Sequence, residues 1–512
     1  MRNSIQRTMY LLLSAVCLFT VPAMAQMTSV GIDCSQISAL HLLEQENLRA
    51  GAALIECGII PGGRPLVRGE QEAPAPPNIL VSNRACSDSA SCTKSESAVW
   101  ASPDGQTIVV NYNDHHDNQT SGTSYSTDGG ATFTELDPPP FATGHNTNFG
   151  DPVVVYNQKL GLWFAGDLVT GCGGFGIGLW TSPDGIHWTL GGCAFTNSNT
   201  DRESMWVDND PTSAGYGRMY VSFNNFVKSG VLEVSYSDDG VTWNVVQLSS
   251  TFIRDVQITG AQISPTAHHS SLRGYNSVFI VGMDEGGGGP ATRQNLVWRS
   301  DNGGVSWTQI VMGPRFNPVG DSTCGYFQQI NPIWRHMGWG EPAVGPNNVV
   351  HYVFAGAGTN GDNGDIYYTR STDSGATWST PLQLNTDPDQ LYHTQWMPSL
   401  SINPAGKLTA SWYDRRSRST ACNNITDPGC NYERYARQSP DNGLTWNADF
   451  AVSSGVIPEP GQNDGGVSFC YAGDYDYATA RGNNAYVTWT DGRRNVGGSQ
   501  VQDVNFAAVP EQ

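Results

Sequence analysis

Val349-Val350-His351-Tyr352-Val353-Phe354 and Leu408-Thr409-Ala410-Ser411-Trp412-Tyr413 are runs rich in β-branched and aromatic residues, which read as buried strands. Each follows an apolar segment, Pro342-Ala343-Val344 or Pro398-Ser399-Leu400-Ser401-Ile402, that reads as an inner strand. Each precedes a polar turn built on Ser, Asp and Gly, and that turn recurs six times. It stands at Ser126 to Phe133, Ser182 to Trp188, Ser237 to Trp243, Ser300 to Trp307, Ser371 to Trp378 and Ser439 to Trp446. Its acidic positions are 128, 184, 239, 302 (an Asn), 373 and 441, so successive copies are 56, 55, 63, 71 and 68 residues apart. Each interval suits one four-stranded sheet, with insertions in the later units.

The turn's composition explains its shape. Ser and Asp side chains can accept backbone N–H groups a few residues on, Gly supplies positive φ, and the Trp ring packs between neighbouring sheets. A seventh unit without the turn runs from about Ser468 through Ala485-Tyr486-Val487-Thr488-Trp489 to Phe506. Asn78-Ile79-Leu80-Val81-Ser82 can add to that last sheet and close a ring. The expected fold class is all-β, a propeller of seven blades with six as the alternative, over residues 78–512. Residues 26–77 are expected as a leader with one helical stretch, Ile37 to Arg49, and a Pro-rich linker.

Composition fits short strands joined by tight turns: charged residues are only 14%, with 58 Gly, 29 Pro and 15 Trp. The net charge of -20 argues against nucleic acid and anionic membranes as partners. Arg2 and Arg7, the apolar run Met9 to Val21 and the small-x-small Ala23-Met24-Ala25 predict a signal peptide over residues 1–25. A secreted or periplasmic monomer without a membrane span is expected. Cys17 falls in that signal, leaving ten of the 11 cysteines. Close spacing suggests Cys34 with Cys57, Cys86 with Cys92, Cys172 with Cys193 and Cys422 with Cys430, leaving Cys324 for Cys470. Spacing alone leaves the connectivity open.

The repeated Ser-x-Asp-x-Gly-x-Thr-Trp turn on a propeller resembles the Asp box of the sialidase superfamily, the BNR-repeat proteins, over roughly residues 95 to 507. The resemblance implies a carbohydrate or glycoconjugate as substrate or ligand, and no cofactor. Sialidases grip a substrate carboxylate with three arginines and use a Tyr nucleophile, a Glu and an Asp acid/base. Gly340-Glu341-Pro342 is similar to the segment carrying the Glu. Tyr413-Asp414-Arg415-Arg416 and Trp489-Thr490-Asp491-Gly492-Arg493 stand where arginines of the triad are expected, with a structural ion pair as the alternative. Thr200-Asp201-Arg202-Glu203 offers an acid and a clamp, or a salt-bridged loop. Gly473-Asp474-Tyr475 offers a nucleophile, or a ring packed at the axis. His393 and Gln395 are placed to contact a sugar hydroxyl. No Arg-Ile-Pro segment opens the chain and no Tyr follows Arg494, so the family pattern is incomplete.

The expected site is therefore Asp201, Glu341 and Tyr475 as catalytic groups, with Arg202, Arg415, Arg416, Arg493, His393 and Gln395 binding substrate and no metal. Asn113-Asp114-His115-His116-Asp117 carries ligand-type side chains in a loop, with polar surface as its other reading. Three activities stay open: a glycoside hydrolase on terminal, acidic or hydroxyl-rich sugars, a glycan- or protein-binding propeller without catalysis, and a polysaccharide lyase.

Overall fold

Each repeat folds into one antiparallel sheet whose first strand lies innermost, and seven such sheets make the ring. The computed structural model describes residues 27–63, 78–83, 86, 92–116, 119–137, 139–142, 144–261, 274–286, 292–320, 322–324, 327–331, 334–336, 339–359, 361–387, 392–416 and 430–511. Residues 1–26, where a signal peptide is expected, Cys422 and most of the Pro-rich linker lie outside them.

In chain order the innermost strands are Thr93–Ala101 (blade 1), Val153–Asn157 (blade 2), Thr200–Val207 (blade 3) and Arg254–Gly260 (blade 4). Glu341–Val344 (blade 5), Gln395–Ile402 (blade 6) and Thr479–Arg481 (blade 7) complete the set. Blade 7 then uses Asn484–Asp491 and Asp503–Pro510, and its fourth strand is Ile79–Leu80, with Ile79 opposite Phe506. A strand from the start of the chain thus pairs with the last one and closes the ring, as the pattern at 78–82 predicts.

The register fixes which way the sheets face. In blade 1, Ala101 pairs with Ile108 and Ile108 with Ser126, so the repeated turn sits at the end where the inner strand leaves. The beginnings of the inner strands, and the loops before them, lie at the opposite end. The turn itself is held as its composition implies. Ser371 Oγ accepts Gly375 N at 2.7 Å and donates to Asp373 at 2.7 Å, while Asp373 accepts Thr377 N at 2.8 Å. Trp378 Nε1 donates to Gly375 O at 3.0 Å. The glycine is needed twice over: Gly240 has φ +75°, and a Cβ there would lie 2.5 Å from the Phe164 ring of the preceding blade.

Adjacent inner strands pair by backbone only briefly, at Ser97–Asp476 and Ala98–Tyr477 between blades 1 and 7 and at the bridge Ala261–Val344 between blades 4 and 5, so most of their N–H groups need other acceptors. Side chains of the neighbouring blade supply them. Asp151 N donates to Asn113 Oδ1 (3.0 Å), Arg202 N to Asp151 Oδ2 (3.2 Å), and Ile258 N to Ser204 Oγ (3.2 Å). Gly340 N donates to Asp255 Oδ2 (3.0 Å) and Leu400 N to Glu341 Oε2 (2.5 Å). Between blades 6 and 7 the Tyr413 hydroxyl donates to Asp476 (2.6 Å), and Ser97 Oγ of blade 1 donates to the same carboxylate (2.6 Å). Every blade junction carries such a bond.

Two further pieces cover the beginnings of the inner strands. A three-stranded insert between blades 4 and 5 (Ser322–Cys324, Phe327–Asn331, Trp334–His336) is tied to the loop before blade 7. The ties are the Cys324–Cys470 disulfide, Arg335 N to Cys470 O (2.9 Å) and Trp334 Nε1 to Gly473 O (3.1 Å). The leader folds around its own core of Ile32, Ile37, Leu42, Ala50, Ala53 and Leu54, closed by the Cys34–Cys57 disulfide. Its α-helix is α1, Leu48–Glu56, and not the predicted Ile37 to Arg49. Residues 37–44 make turns that already bury Ile37 and Leu42, and Asn47 starts the helix by accepting Ala50 N at 2.9 Å.

Cys86–Cys92 and Cys172–Cys193 are also bonded. These four bonded pairs are consistent with an extracellular protein. No helix among the described residues is long and apolar enough to cross a membrane. Ser371→Ala removes the three bonds of one buried turn serine, so it should destabilise by about 1–2 kcal/mol. A thermal melt of this variant is expected to show a lowered Tm, and an unchanged Tm would show that the turn is held by its glycine and Trp alone.

Candidate active site at the channel mouth

The inner strands of blades 1, 3, 4 and 6 each carry a bulge, and each bulge contains a non-glycine residue with positive φ. These are Glu96 (φ 51°), Arg202 (57°), Asp255 (54°) and Met397 (48°), and Asp151 (62°) holds the same conformation just before blade 2. An isolated left-handed residue costs about 1–2 kcal/mol. The compensation is visible in what their side chains do: four of the five are charged groups bonded across blades at the mouth.

Arg202 lies at the centre of this group. Its Nη2 donates to Asp255 (2.5 Å), its Nη1 donates to the Tyr477 hydroxyl (3.0 Å), and its guanidinium sits 4.2 Å over the Tyr475 ring. Tyr475 stacks on Tyr477 with ring centroids 4.5 Å apart. Asp474 accepts Arg335 Nη2 (2.6 Å), and its own N–H donates to Glu96 (2.8 Å). Arg254 pairs with Glu285 (2.5 Å).

Into this group the leader places one carboxylate. Glu46 Oε2 lies 3.0 Å from Arg202 Nε, and Glu46 Oε1 2.6 Å from Arg254 Nη1. Arg335 Nη2 donates to the Glu46 carbonyl at 2.7 Å. Asp201 accepts Glu46 N at 2.5 Å and Asn47 Nδ2 at 2.8 Å. Glu46 is 4% exposed, Asp201, Arg202 and Arg254 1% each, and Arg335 5%, so the mouth is sealed.

Burial dominates the protonation of this site. It pushes Glu46 up to about 8 against the opposing pull of Arg254 and Arg202, and raises Glu96, Asp151 and Glu203 well above the usual carboxyl range. The Asp201 carboxyl is raised by burial and pulled down by its bonds to Asn47 and Glu46 N. Burial likewise holds the Tyr475 phenol in its protonated form.

Below the mouth, the inner strands of all seven blades enclose a cavity of about 80 Å³, lined by Trp100, Val153, Met205, Gln257, Glu341 and Tyr477 among others. Glu341 is thus in the channel wall. Its carboxylate bonds Leu400 N of blade 6 at 2.5 Å, and burial pushes it up to about 8.

Of the residues expected from the sequence, Asp201, Arg202 and Tyr475 come together, and Glu341 lies in the channel below them. The others have different partners. Arg416 pairs with Asp414 (2.7 Å) and Asp449 (2.8 Å), and Arg493 pairs with Asp491 (2.5 Å). Trp412 Nε1 donates to Asp414 (2.8 Å), as Trp489 Nε1 does to Asp491 (2.9 Å), so Trp-x-Asp-x-Arg is one structural device used in two blades. Arg415 is buried, with its N–H on Thr394 O at 3.1 Å. Gln395 is fully buried and bonds Asn385 (3.0 Å) and Asp387 (3.1 Å), and His393 lies 3.5 Å from Asp387.

Sequence reasoning did not single out Glu46, Glu96, Asp151, Arg254, Asp255, Arg335 or Asp474 as site residues. A signal for most of them exists: a charged residue stands at the beginning of one inner strand after another, legible once each turn motif is traced back to its first strand. Asn113 to His116 end the strand Ile108–His116 and do not form the expected loop; His115 bonds Asp464, and residue 117 lies outside the described residues. His145, Cys172 and Cys193 are the metal-ligating type of cluster among the described residues, but the two sulfurs are joined in a disulfide.

No family model matches the chain, and no curated protein matches it. Solved structures do align with it. An α-L-arabinanase of Penicillium chrysogenum is 11% identical, over 66% of this chain and 94% of that one, with a TM-score of 0.42. A Hadza microbial sialidase is 14% identical over 82% of this chain and 66% of its own, with a TM-score of 0.37. An ulvan lyase is 9% identical over 84% and 96%, with a TM-score of 0.47.

The raised carboxyls fix the sign of the pH dependence. Folded Glu341 keeps a proton up to about 8, whereas an unfolded Glu releases it near ~4.3. The folded state binds more protons in that window, so stability is greatest on its acid side and falls as pH rises, by up to about 1.4 kcal/mol per pH unit for this group. Melting temperatures should decrease from about pH 5 to about pH 8. Glu341→Gln, which keeps an acceptor for Leu400 N, should flatten part of that slope. A Tm that rises over this range would contradict the assignment.

Proposed function

We propose that the chain is a glycan-acting enzyme of the glycoside hydrolase type, working at the channel mouth on a terminal sugar that carries a carboxylate. The observation that carries this reading is the seating of one carboxylate on both Arg202 and Arg254, beside the buried acid Asp201. Arg254 hydrogen-bonds the carboxylate at 2.6 Å and Arg202 adds an ion pair at 3.0 Å, so two positive charges converge on one carboxylate. In this reading Arg202 and Arg254 hold the sugar's carboxylate, and Arg335 closes the third side. Asp201 protonates the departing glycosidic oxygen while water adds to the anomeric carbon, and the proton that this water loses restores Asp201. Tyr475 and Tyr477 hold the Arg202 guanidinium in place from below. Glu341, expected from sequence as a catalytic group, acts here as a junction between blades 5 and 6.

A second reading, a sugar-binding propeller without turnover, is favoured by the protonated state in which burial holds the Tyr475 phenol. The two are separated by assaying aryl glycosides of N-acetylneuraminic, glucuronic and neutral sugars. Both the full chain and its Glu46→Ala variant are used, because Glu46 occupies the clamp. Hydrolysis of acidic glycosides is expected, with Asp201→Asn lowering kcat by about 100-fold and Arg254→Ala raising KM by at least about tenfold. Binding of the acidic sugars without release of the aryl group selects the second reading. Equal turnover of neutral glycosides would remove the carboxylate clamp from the account.

A further inference from the structure

The clamp at the mouth is filled by the chain's own leader, and the way it is filled has the properties of a ligand in a site. The side chain enters carboxylate first, both of its oxygens meet guanidiniums, and its main-chain N–H and C=O are bonded to Asp201 and Arg335. We infer that residues 27–63 are an internal competitor for this site, with Glu46 standing where an acidic ligand's carboxylate would bind, so that the mouth is available only when the leader withdraws.

The leader is built to act as a unit. Its disulfide and its own apolar core hold the segment around Glu46 independently of the propeller. Its contacts outside the clamp are non-covalent among the described residues; they include apolar packing of Val30 and Leu48 and hydrogen bonds from Asn199 Nδ2 to Leu40 O (3.1 Å) and from Phe469 N to Pro61 O (3.4 Å). Gln45 Nε2 donates to Asn199 (2.9 Å), Leu48 packs on Val467 and Tyr471, and Arg49 lies 3.5 Å over the Phe175 ring. Gly63 N donates to Val467 O (2.9 Å) where the segment leaves the mouth. No disulfide ties the leader to a blade among the described residues, whereas the insert that shares the roof is tied by Cys324–Cys470. The roof therefore has a covalently fixed half and a half held by non-covalent contacts.

Withdrawal would expose Arg202, Arg254 and Arg335 together and remove both donors from Asp201. While the leader is docked, any ligand must compete with a group held at very high local concentration, so its apparent affinity falls by the fraction of molecules that are open. That the competing ligand is a sugar acid rests on the reading above. That the leader docks through Glu46 and can withdraw does not.

Hydrogen exchange of the leader, read by mass spectrometry on the full chain, tests the two parts separately. In Glu46→Ala and in Arg254→Ala, amides of residues 44–56 should exchange at least about tenfold faster than in the wild type, with the amides of the blade strands unchanged. Glu44→Gln, which alters a carboxylate paired with His41 rather than with the clamp, should leave the leader protected. Adding glucuronic acid or N-acetylneuraminic acid to the wild type should speed exchange in the same segment, and Glu46→Ala should bind the sugar at least about tenfold more tightly. Faster leader exchange without sugar binding keeps the internal competitor and removes the sugar-acid reading of the mouth. Unchanged leader protection in both Glu46→Ala and Arg254→Ala, or sugar binding to the wild type that leaves leader exchange unaltered, overturns the proposal.

Discussion

Seven sheets arranged around an axis leave most of each inner edge without a backbone partner, and this molecule satisfies those edges with side chains from the next blade. Asn113, Asp151, Ser204, Asp255, Glu341, Tyr413 and Asp476 each bond a neighbouring blade. Because most of these acceptors are carboxylates, ring closure concentrates acid at the beginnings of the inner strands. Arginines must follow to balance it: Arg202 meets Asp255, and Arg335 meets Asp474. The polar cluster at the mouth is in this sense a consequence of closing the ring, and the proposed chemistry would draw on groups that already hold the blades together.

That origin explains why the mouth is strained as well as charged. The left-handed residues Glu96, Arg202 and Asp255 sit within bulges that turn their side chains to these cross-blade partners. A rigid, over-bonded ring holds guanidiniums in fixed directions, which is the preorganisation that recognition of a carboxylate needs. Arg202 is held by Asp255, Tyr477 and the Tyr475 ring at once, so its remaining donor is aimed rather than free to search.

The architecture was largely legible in the sequence because the repeated turn is a local device. Ser, Asp, Gly and Trp within eight residues hold the hairpin by themselves, so six blades and their order follow, and the apolar pattern of 78–82 points to the closing strand. The bonded pairs Cys34–Cys57, Cys86–Cys92, Cys172–Cys193 and Cys324–Cys470 agree with the spacing argument. The site was legible only in part, because its members meet through the ring and not along the chain. Asp201, Arg202 and Tyr475 could be read from charged or phenolic residues at the beginnings of strands. Glu46 lies 155 residues from its partner Asp201 and 289 from Arg335, and nothing local marks it. Arg416 and Arg493 misled for the opposite reason: Asp-x-Arg is compact enough to be noticed, and its partners are its own neighbours.

The central claim is that the mouth is a carboxylate site in which Glu46 stands in for a ligand. A crystal structure of the Glu46→Ala chain grown with glucuronic acid tests it most directly. The account predicts the sugar's carboxylate between the Arg202 and Arg254 guanidiniums, with residues 44–56 withdrawn from the mouth. A leader still docked over an empty clamp, or the sugar bound away from these arginines, would contradict it.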